Sequence, residues 1–532
     1  MGGKAAPLGG PPEAASAGPW APELEELRLR RAAAAAMGGE EALARQRALG
    51  KMSARERIDE LLDAGSFREM GQLTGKASYT PEDALKSFLP ANAIIGTGRI
   101  DGRKVSISAD DFTIRGGSSE STNSDKWIYA ERFAFEFRMP LVRLVDTAGG
   151  SVKLLDQMQS TKIPGYPTWP IVPLLDRVPV VGVALGACAG LGAIKVLGSH
   201  FSIMVRDTSQ VFAAGPPVVK QAFGVEVDKN ALGGYQVHSR KSGVVDNEAA
   251  DEADALRQVR RFLSYLPRHR GLLAPRVASA DDPTRAEEWL KDAVPRNSRR
   301  VYDPRQILEA VFDLESIFEI GRYHGGSVIT CLARLHGVPV GVMASDPRVA
   351  AGAMTLTAAN KVERFVELCD TFHLPVVNFV DQPGNMIGVE AEAAGTLLGA
   401  VRVLRMIERS RTPWMSIIVR RAYGLAGGMH GRKHGVDGRS INHRLAWPSA
   451  RWGSIPVEGG VAAAYRREIA AAENPVARRE ELEAHYHRLA SPFRTAERFG
   501  IVDIIDPRET RAALCDWIED AWEVAACLAR EA

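Results

Sequence analysis

Two kinds of apolar pattern alternate along the chain. Runs 178–185 and 414–419 are short and rich in β-branched residues, which predicts buried strands, whereas apolar positions in 125–137 and 361–372 recur at helical spacing. Strands alternating with helices are typical of α/β units built around a buried, largely parallel sheet. A further helical run, 23–49, precedes the first strand and predicts an added arm.

The longest apolar stretch, 178–194, is the only segment that resembles a membrane span. It is shorter than the ~20 residues that a membrane helix needs, and Lys195 follows it at once. We therefore predict a buried strand that enters a glycine turn.

The same markers recur along the chain at one offset in residue number, 235. Gly102 and Gly337, each ahead of a β-branched run that ends in aspartate, are separated by this offset, and so are Lys126 and Lys361. Three more pairs keep the offset to within one position: Pro140 with Pro375, Asp146 with Asp381, and Gly190 with Gly424. The repeat predicts two halves of one architecture, and the Pro- and charge-rich stretch 267–304 is interpreted as their linker.

The chain is therefore predicted to have three parts. Residues 1–20 contain mostly Gly, Pro, Ala and Ser, too few bulky residues to offset the entropy of ordering, and should form a disordered tail. Residues 21–285 should form the N-terminal domain and residues 286–532 the C-terminal domain.

Charge and cysteine content narrow the function classes. The 67 Lys and Arg against 65 Asp and Glu leave a net charge of +2, and no basic stripe interleaved with aromatics points to nucleic acid or an anionic membrane. The five cysteines lie far apart, without the close pairs of a zinc site or the density of a secreted scaffold. These features predict a reducing, cytoplasmic location.

The repeated glycine turns are the best candidates for chemistry. A strand that ends in glycine and turns into a helix leaves backbone N–H groups without helical partners, and such groups can hold an oxyanion. Residues 189–192 and 423–428 have this pattern at the same place in the repeat. Strand-to-helix turns also use glycine for purely structural reasons, and both interpretations stay open at this point.

Other motifs carry less. His430 and His434 lack an intervening Glu and a third ligand, so they are interpreted as a surface pair and no metal site is predicted. The sequence contains no Walker loop, nucleophile elbow or dinucleotide fingerprint. Asp110, Asp111 and Asp381 follow strands and are not assigned as catalytic bases. The basic segment 51–57 fits either phosphate contacts or a solvated helix start.

Many ordered motifs resemble the carboxyltransferase (β) subunit of biotin-dependent acyl-CoA carboxylases, such as propionyl-CoA carboxylase. The resemblance runs from about residue 24 to the C-terminus. The motifs that carry it are residues 50–58, 111–118, 188–190, 212–220, 233–234, 242–244, 337–346, 381–384, 421–424 and 446–448.

The resemblance implies two tandem α/β domains of the crotonase/ClpP spiral type. Acyl-CoA would bind mainly to the N-terminal half and biotin to the C-terminal half of another subunit, in dimers stacked into hexamers. Backbone amides would hold the thioester enolate at Gly190 and Leu191 and the deprotonated biotin urea at Leu425 and Ala426. Family members commonly place glycine where the two leucines stand.

Further residues are implied to bind substrate. They are Arg115, Gly116, Gly117, Gly149, Gly150, Tyr423, Gly424, Gly427 and Gly428. Gly427 and Gly428 replace bulkier or acidic residues of relatives, which predicts a roomier pocket that accepts acyl groups larger than acetyl or propionyl. Segment 146–152 lacks the Arg that relatives carry there, which indicates an altered acyl or CoA mouth.

The chain has no biotinylation motif and no ATP-binding glycine loop, so it is not expected to charge its own biotin. A partner carrying biotin carboxylase and biotin carboxyl carrier domains is implied, with an acyl-CoA thioester as substrate. Three alternatives stay open. They are a decarboxylase or transcarboxylase subunit, a biotin-independent crotonase-like acyl-CoA enzyme, and a non-catalytic scaffold that keeps the fold.

Overall fold

The computed structural model describes residues 18–161, 163, 165–297, 299–431, 441 and 443–532. Backbone contacts divide the chain into two compact units, one up to Leu263 and one from Ser264 onward. Of the predicted tail, only residues 18–20 lie within the described residues.

The first unit contains helices α1–α10 and strands β1–β10. The helices are α1 (Ala21–Ala36), α2 (Glu40–Ala48), α3 (Ala54–Leu61), α4 (Ser124–Glu136), α5 (Lys153–Met158), α6 (Ile171–Leu175), α7 (Leu191–Leu197), α8 (Pro216–Phe223), α9 (Lys229–Gly233) and α10 (Glu252–Ser264). The strands are β1 (Arg68–Met70), β2 (Gly75–Tyr79), β3 (Leu85–Pro90), β4 (Ala93–Ile100), β5 (Arg103–Asp110), β6 (Leu141–Thr147), β7 (Val180–Ala189), β8 (Phe201–Val205), β9 (Gln210–Phe212) and β10 (Asn247–Ala249).

The second unit contains helices α11–α20 and strands β11–β18. The helices are α11 (Pro304–Val311), α12 (Leu356–Thr371), α13 (Val389–Ala393), α14 (Thr396–Arg409), α15 (Gly424–Gly428), α16 (Val457–Ala464), α17 (Arg466–Ala471), α18 (Pro475–Leu489), α19 (Pro492–Ala496) and α20 (Thr510–Glu531). The strands are β11 (Phe318–Ile320), β12 (Val328–Leu335), β13 (Val338–Ser345), β14 (Val376–Gln382), β15 (Trp414–Tyr423), β16 (His443–Ala446), β17 (Arg451–Gly453) and β18 (Asp503–Ile504).

The two units have the same sheet topology. In the first sheet the order is β1-β4-β5-β6-β7-β8-β10, with β9 also on β7, and in the second it is β11-β12-β13-β14-β15-β16-β18, with β17 also on β15. From β5 and β13 onward all pairings are parallel. The α/β prediction with two similar halves is therefore confirmed.

The repeat offset changes once along the chain. Helix α3 and strand β1 precede α11 and β11 by a larger offset in residue number than the one by which β4 precedes β12. The difference is the antiparallel hairpin β2–β3, which pairs residues 75–79 with 85–90 and has no counterpart in the second unit's strand order. The first half therefore carries an inserted hairpin.

The predicted arm is helical but broken. It forms α1 and α2, separated at Gly38 and Gly39. Gly38 donates its backbone N–H to Thr113 Oγ1 at 2.9 Å, and a Cβ at Gly38 would lie 2.3 Å from the Thr113 carbonyl oxygen. The arm therefore interrupts its helix where it packs closely on the loop after β5.

The core of the second unit lies between its sheet and two helices. Apolar residues of α11 and α20 pack against buried residues of β12–β15 in one continuous cluster. Stretch 267–304 contributes one short 3₁₀ helix, Glu288–Asp292, among its described residues. No helix within the described ranges is long and apolar enough to cross a membrane, and all five cysteines are unpaired.

Candidate active site

The first glycine turn joins β7 to α7. Gly190 adopts φ 55°, and its backbone N–H donates to the Phe212 carbonyl at 3.0 Å. Leu191 follows at the start of α7, where the first N–H groups have no acceptor within the helix. Because the positive φ falls on Gly190, Leu191 keeps ordinary helical geometry. The sheet occupies the Gly190 amide, which leaves Leu191 as the first candidate donor of this turn.

The other candidate residues of the first half converge on this turn. The Ala148 amide donates to the Gly116 carbonyl at 2.9 Å, and Thr147 Oγ1 donates to the Gly117 carbonyl at 2.6 Å. A Cβ at Gly149 would lie 2.9 Å from the Ala189 carbonyl oxygen, one residue before the turn. The loops after β5, β6 and β7 therefore meet at one edge of the sheet, and Gly150 and Arg115 lie in these loops.

The second glycine turn has the same construction. Gly424 adopts φ 62° at the end of β15 and begins α15, while Leu425 is 42% exposed and Ala426 is buried. Leu425 again keeps a negative φ. Gly384, at the end of the neighbouring strand, approaches the Tyr423 carbonyl. Burial raises the pKa of the Tyr423 hydroxyl.

A left-handed turn accompanies each glycine turn. Residues 115–117 all have positive φ, and so do Ala350, Ala351 and Gly352 at the equivalent positions of the repeat. In both turns the third residue packs on a strand carbonyl, with a Cβ at Gly117 placed 2.6 Å from the Asp146 oxygen. This conformation is strained for non-glycine residues, and such strain clusters at functional sites. Sequence reasoning missed the second turn, although the repeat offset could have located it.

The aspartates beneath the turns are ion-paired. Asp146 contacts Lys51 Nζ at 2.6 Å and Arg57 at 3.1 Å, all three side chains being buried. Asp381, its counterpart, contacts Arg420 at 2.8 Å and Arg421 at 2.6 Å. Carboxylates held by two cations are poorly placed to take a proton from substrate. The burial of Lys51 and Arg57 also replaces the solvated helix start considered for segment 51–57.

Cys188, two residues before Gly190, is fully buried. Burial raises the pKa of its thiol well above the usual range, and Asp146 and Asp110 act in the same direction. The thiol therefore stays protonated and is unsuited to nucleophilic attack. Both glycine turns thus offer main-chain donors rather than a side-chain base or nucleophile.

A basic cavity of about 440 Å³ opens beside the first turn. Arg45, Lys51, Arg115 and Lys153 contribute its positive charge, together with apolar and uncharged residues and one acid, Glu120. Arg115 and Lys153 form no ion pair with any residue that the structure describes. The spacing of these residues in sequence gives no signal, because they come from four separate segments.

The space behind the two turns differs between the halves. In the second half a cavity of about 30 Å³, room for about two waters, is lined by Ala426, and the buried Oε1 of Gln382 in its wall has no hydrogen-bond partner. In the first half Lys195 of α7 pairs with Asp110 at 3.1 Å and lies over the Trp127 ring at 4.6 Å. The same turn therefore has different surroundings in the two halves.

Gly427 packs against the sheet. It is buried, and a Cβ there would lie 2.3 Å from the carbonyl carbon of Ala422. This close contact requires glycine and gives no sign that Gly427 widens an acyl pocket, while Gly428 is only partly buried. The roomier pocket drawn from these glycines stays a prediction without support from Gly427.

Of the histidine pair, His430 is buried, which differs from the surface interpretation, and His434 lies outside the described residues. Across the described ranges no group of three or more His, Cys, Asp or Glu side chains could hold a metal ion.

Comparison with known proteins shows one family throughout. The family model "Carboxyl transferase domain" matches residues 45–530. The chain is 36% identical over 493 residues to a propionyl-CoA carboxylase carboxyltransferase subunit of Haloferax mediterranei, covering 92% of this chain and 94% of the relative. It is 32% identical to the methylmalonyl-CoA decarboxylase subunit alpha of Veillonella parvula, with 92% and 94% coverage.

The fold is similar to a solved structure of the same kind. The transcarboxylase 12S hexamer with methylmalonyl-coenzyme A and methylmalonic acid bound superposes with a TM-score of 0.85 at 29% identity, covering 96% of this chain and 97% of that one. With two sheets that end in matching glycine turns and a family model spanning nearly the whole chain, this protein belongs to the carboxyl transferase family and is a carboxyltransferase.

Proposed function

We propose that the chain transfers a carboxyl group between biotin on a partner protein and the α or vinylogous carbon of an acyl-CoA. The observation that carries this proposal is the repeated glycine turn at the carboxyl end of the same strand in both sheets, with φ 55° at Gly190 and 62° at Gly424. Family membership supplies the reaction class.

The first half would hold the acyl-CoA. Its thioester oxygen gains negative charge when the neighbouring carbon loses a proton, and the Leu191 amide would stabilise that charge. A main-chain or amide donor of this kind contributes roughly 3–4 kcal/mol where its loss has been measured in other enzymes. In this role Gly190 shapes the turn, since its own amide donates to the Phe212 carbonyl.

The basic cavity fits the other end of the substrate. The nucleotide of coenzyme A carries several phosphate charges, and Arg and Lys are the residues that bind phosphate oxygens. Arg115 and Lys153 line the cavity without ion-pair partners among the described residues. The alanine double variant Arg115→Ala/Lys153→Ala is expected to raise the KM for acyl-CoA about tenfold or more, with kcat little changed, in steady-state assays. The variant Lys220→Ala, outside the cavity, should leave KM unaltered.

The second half would hold biotin, which supplies the carboxyl group when it is bound. The turn at residues 423–428 fits a neutral ureido ring that gains negative charge, because its donors are main-chain amides, with Leu425 and Ala426 at the start of α15. The partner would carry the biotin, and the hexamer seen in the transcarboxylase 12S relative is proposed here as well.

The direct test is ATP-dependent fixation of labelled bicarbonate into a panel of acyl-CoAs, with the biotin-bearing subunit present. We expect acid-stable label in at least one acyl-CoA and none without the partner. A decarboxylase is the second candidate, because one relative at 32% identity carries that name. Loss of label from a carboxylated acyl-CoA without ATP, and no fixation, would favour it. Turnover of an enoyl-CoA by the chain alone would contradict both.

A further inference from the structure

One position on the second parallel strand of each sheet carries a side chain that holds the segment after the glycine turn. Arg143 is the third residue of β6, and Asn378 is the third residue of β14, at the equivalent position of the repeat. Their strand neighbours also correspond, since Arg143 pairs with Gly182 and Asn378 with Ser416.

In the first half Arg143 reaches the end of α7. Its Nη1 donates to the carbonyls of Lys195 at 3.1 Å and Gly198 at 2.6 Å, while Nε and Nη2 bond both oxygens of Glu131 at 2.7 and 2.8 Å. Arg143 is 1% exposed. The buried ion pair fixes the guanidinium, which in turn fixes the helix that follows Gly190.

The neighbouring strand position completes the contact. A Cβ at Gly182 would lie 2.2 Å from the Val196 carbonyl oxygen, so only glycine lets this part of α7 sit directly on β7. In the second half the residue at the position of Gly182 is Ser416, and the residue at the position of Val196 in the glycine-turn register is His430.

There the same backbone point is held by hydrogen bonds. The His430 carbonyl accepts from Ser416 Oγ at 2.5 Å, Trp414 Nε1 at 2.6 Å and Asn378 Nδ2 at 3.3 Å. A carbonyl oxygen has two lone pairs, so three side-chain donors converging on one is a dense arrangement. Two of the donors are on β15 and one is on β14.

We infer that these side chains are positioning residues for the two glycine turns: Arg143 in the first half, and Asn378, Trp414 and Ser416 in the second. The inference rests on the proposed function, in which amides of these turns hold negative oxygen. Helices α7 and α15 have seven and five residues, too short to hold a fixed direction alone. Each turn is fixed on one side by its strand and on the other by these contacts, which together form a latch.

The second half offers the cleaner test, because its donors are neutral. In the double variant Trp414→Phe/Ser416→Ala, only Asn378 still donates to the His430 carbonyl. The matched control is Thr412→Val, which removes a buried hydroxyl that donates to the Leu374 carbonyl at 2.7 Å, just before β15. Ser416→Ala alone serves as a milder variant if the double variant folds poorly.

Hydrogen–deuterium exchange of the intact chain gives the first readout. We expect residues 424–430 to exchange at least tenfold faster in the latch variants, with residues 191–197 unchanged, whereas Thr412→Val should leave both segments alike. In bicarbonate fixation, the latch variants should lose about tenfold in kcat, with the KM for acyl-CoA within twofold.

Unchanged exchange at residues 424–430, or an equal increase in Thr412→Val, would overturn the latch. Exchange needs no catalysis, so the latch is decided even if the wild-type chain fixes no bicarbonate. That second result would count against the proposed function alone.

Discussion

Lys126 and Lys361 stand at equivalent positions of the repeat, and both are poorly solvated. Burial is the main cause that lowers the pKa of each ammonium to about 8, while Glu69 and Glu319 oppose the shift at their respective lysines. Lys361 Nζ donates to the Gly321 carbonyl at 3.2 Å. Each half therefore keeps a lysine whose charge the fold disfavours.

Lys126 should make stability rise with pH. The folded pKa lies below the unfolded value of about 10.4, so between about pH 8 and 10 the unfolded chain binds more protons than the native one, and raising the pH favours the native state. Compared with Lys126→Met, the wild type should gain about 2 kcal/mol from pH 7 to pH 9.5, measured by urea unfolding. Parallel curves for the two proteins would contradict this, and Lys220→Met provides the exposed control.

Gly427 makes a second prediction at this scale. An added methyl would collide with the Ala422 backbone, which cannot yield as a flexible side chain does. Gly427→Ala should therefore lower the free energy of unfolding by about 1–3 kcal/mol. Gly459→Ala is the control, because nothing lies within 4 Å of its Cβ and it sits in helix α16, where alanine is preferred. Equal stability of the two variants would show that residues 424–428 are not seated on β15.

At the scale of elements, α2 forms one wall of the basic cavity, with Ala42, Arg45, Gln46 and Leu49 in its lining. Its position depends on the break at Gly38, which packs against the Thr113 backbone. The loop that carries Thr113 lines the same cavity. The arm is therefore part of the proposed substrate site.

Gly38→Ala should loosen this wall. We expect the KM for acyl-CoA to rise by about threefold to tenfold because α2 withdraws from the loop, with faster hydrogen exchange in residues 40–48. Gly18→Ala, with open space around its Cβ, should change neither quantity. An unchanged KM with faster exchange would separate the arm from substrate binding.

The sequence predicted these elements unevenly. The repeat located β7 and β15 and their glycine turns, because a buried strand and a turn leave an apolar run followed by glycine. The break in the arm at Gly38 and the cavity formed by Arg45, Arg115 and Lys153 depend on contacts between distant segments, which leave no local pattern. The close packing of Gly427 escaped for the same reason.

At the scale of the whole molecule, one architecture is used twice with different surroundings. The turn at Gly190 has a basic cavity on one side and the Lys195–Asp110 pair behind it, whereas the turn at Gly424 has a small cavity with uncharged polar groups. A polyanionic thioester suits the first setting and a neutral ureido group the second. Duplication followed by divergence of the surroundings thus accounts for two ligands on two similar halves.

The most direct test of this account is the rate of ATP-dependent bicarbonate fixation by Gly190→Ala and Gly424→Ala, with Gly102→Ala as control. All three glycines have positive φ, with open space or only ordinary contacts around the added Cβ, so each variant should lose about 1–2 kcal/mol of stability. We predict that fixation falls about 100-fold in the two turn variants and stays within twofold of wild type in Gly102→Ala. Equal rates in all three variants would contradict a role for the turns in catalysis.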